Sequence, residues 1–185
     1  MIQTKFIDEE IKYEGFQLAP HWIYKNFKIQ GDAIVAFIGE CEVKLTEMVD
    51  IEDVINNEPI YSKSMLSFIS EQFNIGLVEG VFRQRLLICT IKEALETGGV
   101  KVTRDGDDLF FDGRKLTVSI ATKSATSVLI HTGVNIISSG APVKASGLGE
   151  DIGIDDIEGF AKEVMTKYSE EIHDIIQASA KVRGV

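Results

Sequence analysis

The segment Lys101–Ile137, KVTRDGDDLFFDGRKLTVSIATKSATSVLIHTGVNII, narrows most what this chain can fold into. Asp-Gly steps at Asp105-Gly106 and Asp112-Gly113 punctuate it. Asp-Gly favours the tight turn of a hairpin, because that turn needs positive φ, which glycine adopts freely and aspartate tolerates. The flanking runs Lys101–Arg104, Leu109–Phe111 and Lys115–Ala121 read as strands around these turns. Ser127–Ile137 alternates less cleanly, but its Val, Ile and Thr fit a pleated surface. Three or more neighbouring strands joined by short turns make an antiparallel sheet, and such a sheet needs helices or another sheet to cover its apolar face.

The helices follow from spacing. Val81–Thr97 carries Phe82, Leu86, Ile88, Ala94 and Leu95 and stops at Gly98-Gly99. Asp155 followed by Glu158 marks a second helix start. From Ile157, the positions Phe160, Ala161, Val164, Tyr168 and Ile172 hold one face, and Lys181 and Arg183 suit the C-terminal end. Ser62 or Ser64 reads as an N-cap before MLSFISEQF, where Met65, Phe68, Ile69 and Phe73 predict a further helix ending at Asn74–Gly76. Asp32–Gly39 reads as a buried strand that resumes after a bend in Glu42–Thr46. The first thirty residues read as a short strand, a loop at Pro20 and a helical turn through His21–Phe27 packed on the core. The predicted class is α+β, a mainly antiparallel sheet flanked by helices, in a single domain spanning residues 1–185.

Charge and composition exclude several functions. The net charge is -10 and no basic run occurs, which argues against a nucleic-acid partner. No apolar run approaches the roughly 18 residues of a membrane span, and MIQTKFIDEE lacks the apolar core of a signal peptide, so a cytoplasmic location is expected. Cys41 and Cys89 sit in separate apolar stretches and read as free thiols. Asp50, Glu52 and Asp53 match no metal-ligand spacing and read as a solvated turn, so no residue is assigned to a metal.

Several polar residues stand out. Lys115 follows the Asp112-Gly113 turn, and Asp107 and Asp108 follow the Asp105-Gly106 turn. His131 lies inside an apolar strand, where a satisfied core histidine is the competing reading. Arg83 and Arg85 lie two apart on a helix, about 200° around its surface, so they cannot both face one ligand. Either one offers a forked, permanently charged donor set to a phosphate or carboxylate.

The order of these features resembles the catalytic core of biotin- and lipoate-protein ligases, a class II synthetase-like fold. Asp107-Asp108-Leu109 stands at that family's Asn-Asp turn, Gly113-Arg114-Lys115-Leu116 at its lysine step, and Ile130–Ile136 at its glycine-asparagine strand. The resemblance covers about residues 82–176. The whole chain also resembles a family of uncharacterised archaeal proteins, through EGFQLAPHW, MVDIEDV, FRQRLL and RDGDDLFFDGRKLTVSIAT.

The ligase resemblance implies that Lys115 takes the catalytic lysine's place, neutralising a carboxylate and an α-phosphate as an acyl-adenylate forms. It implies Arg83 or Arg85 as phosphate or carboxylate partner and Asp108 as the support of the hairpin or of a metal–phosphate. Gly133 would admit close backbone approach, Asn135 would hydrogen-bond a ligand or cap a turn, and His131 stands as a further ligand-binding candidate. It further implies ATP as the nucleotide, a small carboxylate as substrate and a homodimer. Several features depart from the ligase pattern, among them Ser119 and the lack of a glycine after the lysine step. Neither glycine- and arginine-rich ligand loop is present, its place being taken by Leu45–Phe73, and Asp107 replaces an asparagine. Two functions therefore stay open, an acyl- or adenylyl-transferring enzyme and a non-catalytic ligand-binding or assembly module on the same scaffold.

Overall fold

A computed structural model describes residues 1–184. Its elements in chain order are β1 (Gln3–Phe6), α1 (Trp22–Phe27), β2 (Ala33–Val43), α2 (Ile51–Asn56), β3 (Ile60–Phe73), α3 (Leu77–Thr97), β4 (Thr103–Asp105), β5 (Asp108–Phe111), β6 (Arg114–Lys115), β7 (Thr117–Lys123), β8 (Ser127–Ile137) and α4 (Ile157–Ala180). Five strands form one sheet in the order β1-β2-β3-β8-β7, and β4-β5-β6 form a small second sheet. Among the described strand pairs only β1–β2 is parallel. The α+β class with a mainly antiparallel sheet flanked by helices is thus the observed one.

The strand β3 overturns the expected helix at residues 65–73. It pairs with β2 on one side and β8 on the other, at the centre of the sheet. Leu66 and Phe68 face α3 and α4, whereas Met65 and Ile69 face the opposite layer. A central strand covered on both faces loses the polar–apolar alternation of a half-exposed strand. Its two apolar pairs, 65/66 and 68/69, then imitate the three-four spacing of a helix. Ser62 is no N-cap; its hydroxyl donates to the carbonyl of Ser64 at 3.0 Å. The acidic stretch at 48–57 contains the short helix α2, capped by Asp50, whose carboxylate accepts from the Glu52 N–H at 2.8 Å.

The helix α3 begins four residues before the expected Val81. Gly80 lies inside it, where a Cβ would stand 2.4 Å from Val128 Cγ1. The glycine is a close-packing residue against β8 rather than a helix boundary. The helix α4 is capped one residue after the expected Asp155, by Asp156, whose carboxylate accepts from Gly159 N–H at 2.8 Å. No described helix is long and apolar enough to cross a membrane.

Two apolar layers sandwich the sheet. On one face α3 and α4 cover Ile34, Leu66, Phe68 and Val134, with Tyr168 fully buried among them. On the other face the N-terminal segment lays Tyr13, Ile23 and Trp22 over Val35, Phe37, Met65 and Ile69. That segment reaches the sheet at Gly39, where a Cβ would lie 2.1 Å from the Ile11 carbonyl oxygen. The obstacle is backbone, so side-chain rotation cannot relieve it. Gly39→Ala is expected to cost about 1–3 kcal/mol, as overpacking does, read as a lower urea midpoint at unchanged slope.

Candidate functional site

The expected single hairpin splits into two sheets at one residue. Lys115 ends β6 and Thr117 opens β7, with Leu116 buried between them. The Leu116 N–H donates to the Leu109 carbonyl at 2.8 Å, within the small sheet. The Asn135 N–H donates to the Leu116 carbonyl at 3.0 Å, within the large one. The loop after β8 fixes the outer side, since Lys115 N–H donates to Lys144 O at 3.0 Å and Ser146 N–H to Lys115 O at 2.9 Å. Arg114 is drawn away to Asp151 at 2.6 Å. Backbone bonds on both sides therefore set the direction of Lys115. Its side chain lines a cavity of about 260 Å³ on the face opposite α3 and α4.

The cavity has two chemically distinct parts. Leu18, Val43, Ile60, Met65 and Val118 make an apolar wall. Around it stand Glu47, Asp50, Asp53, Glu58, Asp107 and Asp108, while Lys115 is the one lysine or arginine among the described lining residues. Lys115 Nζ lies 3.0 Å from Asp108 Oδ2, with its side chain 35% exposed. Burial raises the Asp108 carboxyl above its ordinary value, and the bond from Lys115 holds the rise in check. Burial likewise raises Asp53, with neighbouring Asp50 adding and Lys115 opposing. Lys115 is therefore the electrostatic focus of an otherwise acidic mouth.

His131, Gly133 and Asn135 follow one another along the same face of β8. The His131 and Asn135 side chains line the cavity. Gly133 does not; a Cβ there would meet Met65 Sδ at 2.2 Å, so the glycine makes room for a wall residue. The His131 ring stacks on Tyr13 at 3.7 Å between centroids, and its Nε2 lies 3.3 Å from Ser67 Oγ. Burial without a charged partner pushes the His131 pKa down to about 3.

That shift has a sign that can be measured. Below the unfolded value of about 6.5 the unfolded chain takes up a proton that folded His131 refuses, so stability falls with pH between 6.5 and about 3. Lowering the pH from 7 to 5 is expected to cost about 2 kcal/mol through this residue. The check is denaturant unfolding at both pH values, where His131→Gln should show a shallower loss by that amount.

Arg83 and Arg85 do not enter the cavity. Arg83 bonds Gln72 and Glu79 on the helical side of the sheet. Arg85 meets Asp107 at 3.3 Å and so touches the rim only through that carboxylate. Asp107 also accepts from Gln84 Nε2 at 3.0 Å. Cys41 is buried, with its thiol pushed up to about 12 by burial and then by Glu40, and Cys89 is a half-buried free thiol. The cavity also draws on Tyr13, Met65, the segment from Glu47 to Tyr61 and the loop at Ala141–Val143, none of which has a motif or period pointing to it.

Comparison with known proteins places this geometry. The chain matches the family described as a domain of unknown function (DUF366) over residues 2–183. It is 40% identical over 176 residues to the uncharacterized protein MJ0805 of Methanocaldococcus jannaschii, covering 92% of this chain and 79% of that one. A protein of unknown function from Pyrococcus horikoshi superposes with a TM-score of 0.93 at 39% identity, over 100% of both chains. A biotin protein ligase mutant of Aquifex aeolicus in complex with biotin gives a TM-score of 0.60 at 14% identity, over 92% of this chain and 70% of that one. A putative lipoate protein ligase of T. acidophilum with bound lipoic acid gives 0.61 at 10% identity, over 93% and 86%. The ligase likeness is one of fold. The chain belongs to the DUF366 family, on a biotin- and lipoate-protein-ligase-like fold.

Proposed function

We propose that the cavity beside Lys115 binds a small carboxylic acid and that the protein transfers its acyl group, with Lys115 neutralising the carboxylate. The observation that carries this reading is the Lys115 side chain lining the cavity, held by backbone bonds on both sides, between the apolar wall and the acidic mouth. An ammonium in a partly desolvated site attracts an anion far more strongly than it does in water. Ligase-fold relatives with bound biotin or lipoic acid support a carboxylate as ligand by analogy alone.

The nucleotide implied by the ligase resemblance does not fit this mouth as a bare anion. Six carboxylates ring it, and Arg83 and Arg85 are engaged elsewhere. The same excess of acid favours a second reading, a ligand-binding module without adenylation. Isotope exchange between pyrophosphate and ATP, run with magnesium and a panel of small acids, separates the two. Acid-dependent exchange supports the enzyme. Acid binding by calorimetry without exchange supports the module, and no binding of any acid overturns both. The homodimer belongs to the same proposal, with β7 as a free sheet edge, and light scattering tests it.

A further inference from the structure

Glu71 is a buried acid with no standing counter-ion among the described residues. Its side chain is 4% exposed. It stands on the central strand β3, six residues and about 20 Å along from Met65 of the Lys115 cavity. Both carboxylate oxygens accept from the His21 N–H, at 2.8 and 3.0 Å, and Oε1 also accepts from the Ser127 hydroxyl at 2.7 Å. These donors are neutral, so they meet its need for hydrogen bonds and leave its charge. No lysine or arginine among the described residues comes within ion-pair distance of it. The His21 ring is the basic group at hand, but its Nδ1 lies 4.0 Å away, beyond hydrogen-bond reach, and it is charged only when protonated. Carboxylates buried this deeply are almost always paired with a cation.

The Glu71 side chain lines a second pocket, of about 320 Å³, at the end of the sheet away from Lys115. The two pockets share no lining residue. Three rings stand around the carboxylate, those of His21, Tyr24 and Phe73. His21 and Phe73 stack, with centroids 5.8 Å apart and planes 18° from parallel. His21 reaches this position with a φ of 64°, uncommon for a residue with a side chain, and the Glu71 bonds to its N–H hold it there. Tyr24 follows on α1, half exposed. At Gly31 a Cβ would meet nothing within 4 Å, so the pocket is open on that side.

A carboxylate among aromatic rings attracts a cation in two ways, through its own charge and through the negative faces of the rings. The kind of cation follows from the acceptors. Three bonds already occupy the Glu71 oxygens. A primary ammonium would bring three N–H donors that lose their bonds to water here, whereas a fully methylated ammonium brings none. A hard metal ion wants several oxygen ligands, and Glu71 is the one carboxylate among the described lining residues. We propose that this pocket binds a small quaternary ammonium ion, with its methyl groups against Tyr24 and Phe73 and its charge toward Glu71. The site stands or falls independently of the carboxylate reading at Lys115.

Titrations of the full chain followed by NMR test this with three probes. They are choline, its uncharged isostere with carbon in place of the ammonium nitrogen, and ethanolamine. Choline is expected to shift resonances of residues 21–31 and 71–73 and to bind about 10-fold more tightly than either of the other two. Glu71→Gln should bring choline down to the affinity of the isostere, and Tyr24→Ala should weaken choline about 10-fold. Thermal unfolding shows whether each variant is folded. Tyr24 is half exposed, so Tyr24→Ala keeps the test open if Glu71→Gln does not fold. Equal binding of choline and the isostere overturns the cation site, leaving an apolar pocket. Tighter binding of ethanolamine than of choline overturns the quaternary assignment. Choline binding untouched by both substitutions overturns the placement at Glu71, and no shift with any probe overturns the proposal outright.

Discussion

Phe68→Ala is expected to destabilise the protein by about 3–5 kcal/mol, the range for truncating a fully buried phenylalanine. Phe68 has no exposed surface and sits at the middle of β3, with its ring in the layer beneath α3 and α4. Neither neighbouring strand can move in to fill the gap, because β3 is hydrogen-bonded to β2 and β8 along its length. The loss would take a large share of the roughly 5–15 kcal/mol that holds a typical domain folded. It would appear as a large drop in denaturant midpoint with an unchanged slope. The same strand also carries Gln72, whose amide donates to Tyr168 Oη at 2.9 Å and to Ser70 Oγ at 2.9 Å. Gln72→Ala leaves Tyr168 and Arg83 without a shared partner, so a measurable loss of stability is expected there as well.

Lys115→Met is expected to weaken carboxylate binding about 10- to 100-fold, the worth of a hydrogen bond to a charged group. If the protein carries out acyl transfer, the rate should fall by about 10²–10³, as when a preorganised electrostatic donor is removed from other sites. The fold should survive. Lys115 is about one-third exposed and pairs only with Asp108, itself partly exposed, so their ion pair adds little to stability. Loss of the ammonium removes the interaction that restrains the raised Asp108 pKa, so the carboxyl takes up a proton more readily rather than staying charged and unpaired. Calorimetric titration with a small acid, paired with a thermal melt, separates the binding loss from any folding loss.

Signals confined to one stretch of chain were legible in the sequence. The Asp112-Gly113 turn, the Gly98-Gly99 stop of α3 and the apolar face of α4 each depend on residues a few positions apart. The strand β3 was not legible, because its two-faced burial is decided by what lies above and below it. The site divides in the same way. Lys115, Asp108, His131 and Asn135 lie on the strand-rich segment that the sequence singles out, and the structure brings all four to one cavity. Tyr13 joins them from more than a hundred residues away by stacking on His131, a contact that no local pattern encodes. The arginines were misleading for a related reason. Their charge suits a ligand, but their partners Gln72, Glu79 and Asp107 are set by tertiary packing.

The Leu116 junction has a mechanical consequence. Lys115 and Asn135 are tied through one backbone step, and His131 follows four residues along the same strand, a span of about 13 Å. The cationic end and the stacked pair are thus marks on one stiff rod rather than on two independent loops. On the proposed carboxylate reading, an acid long enough to reach from Lys115 to the stacked pair would be measured against a fixed length, and affinity should change with each methylene added or removed.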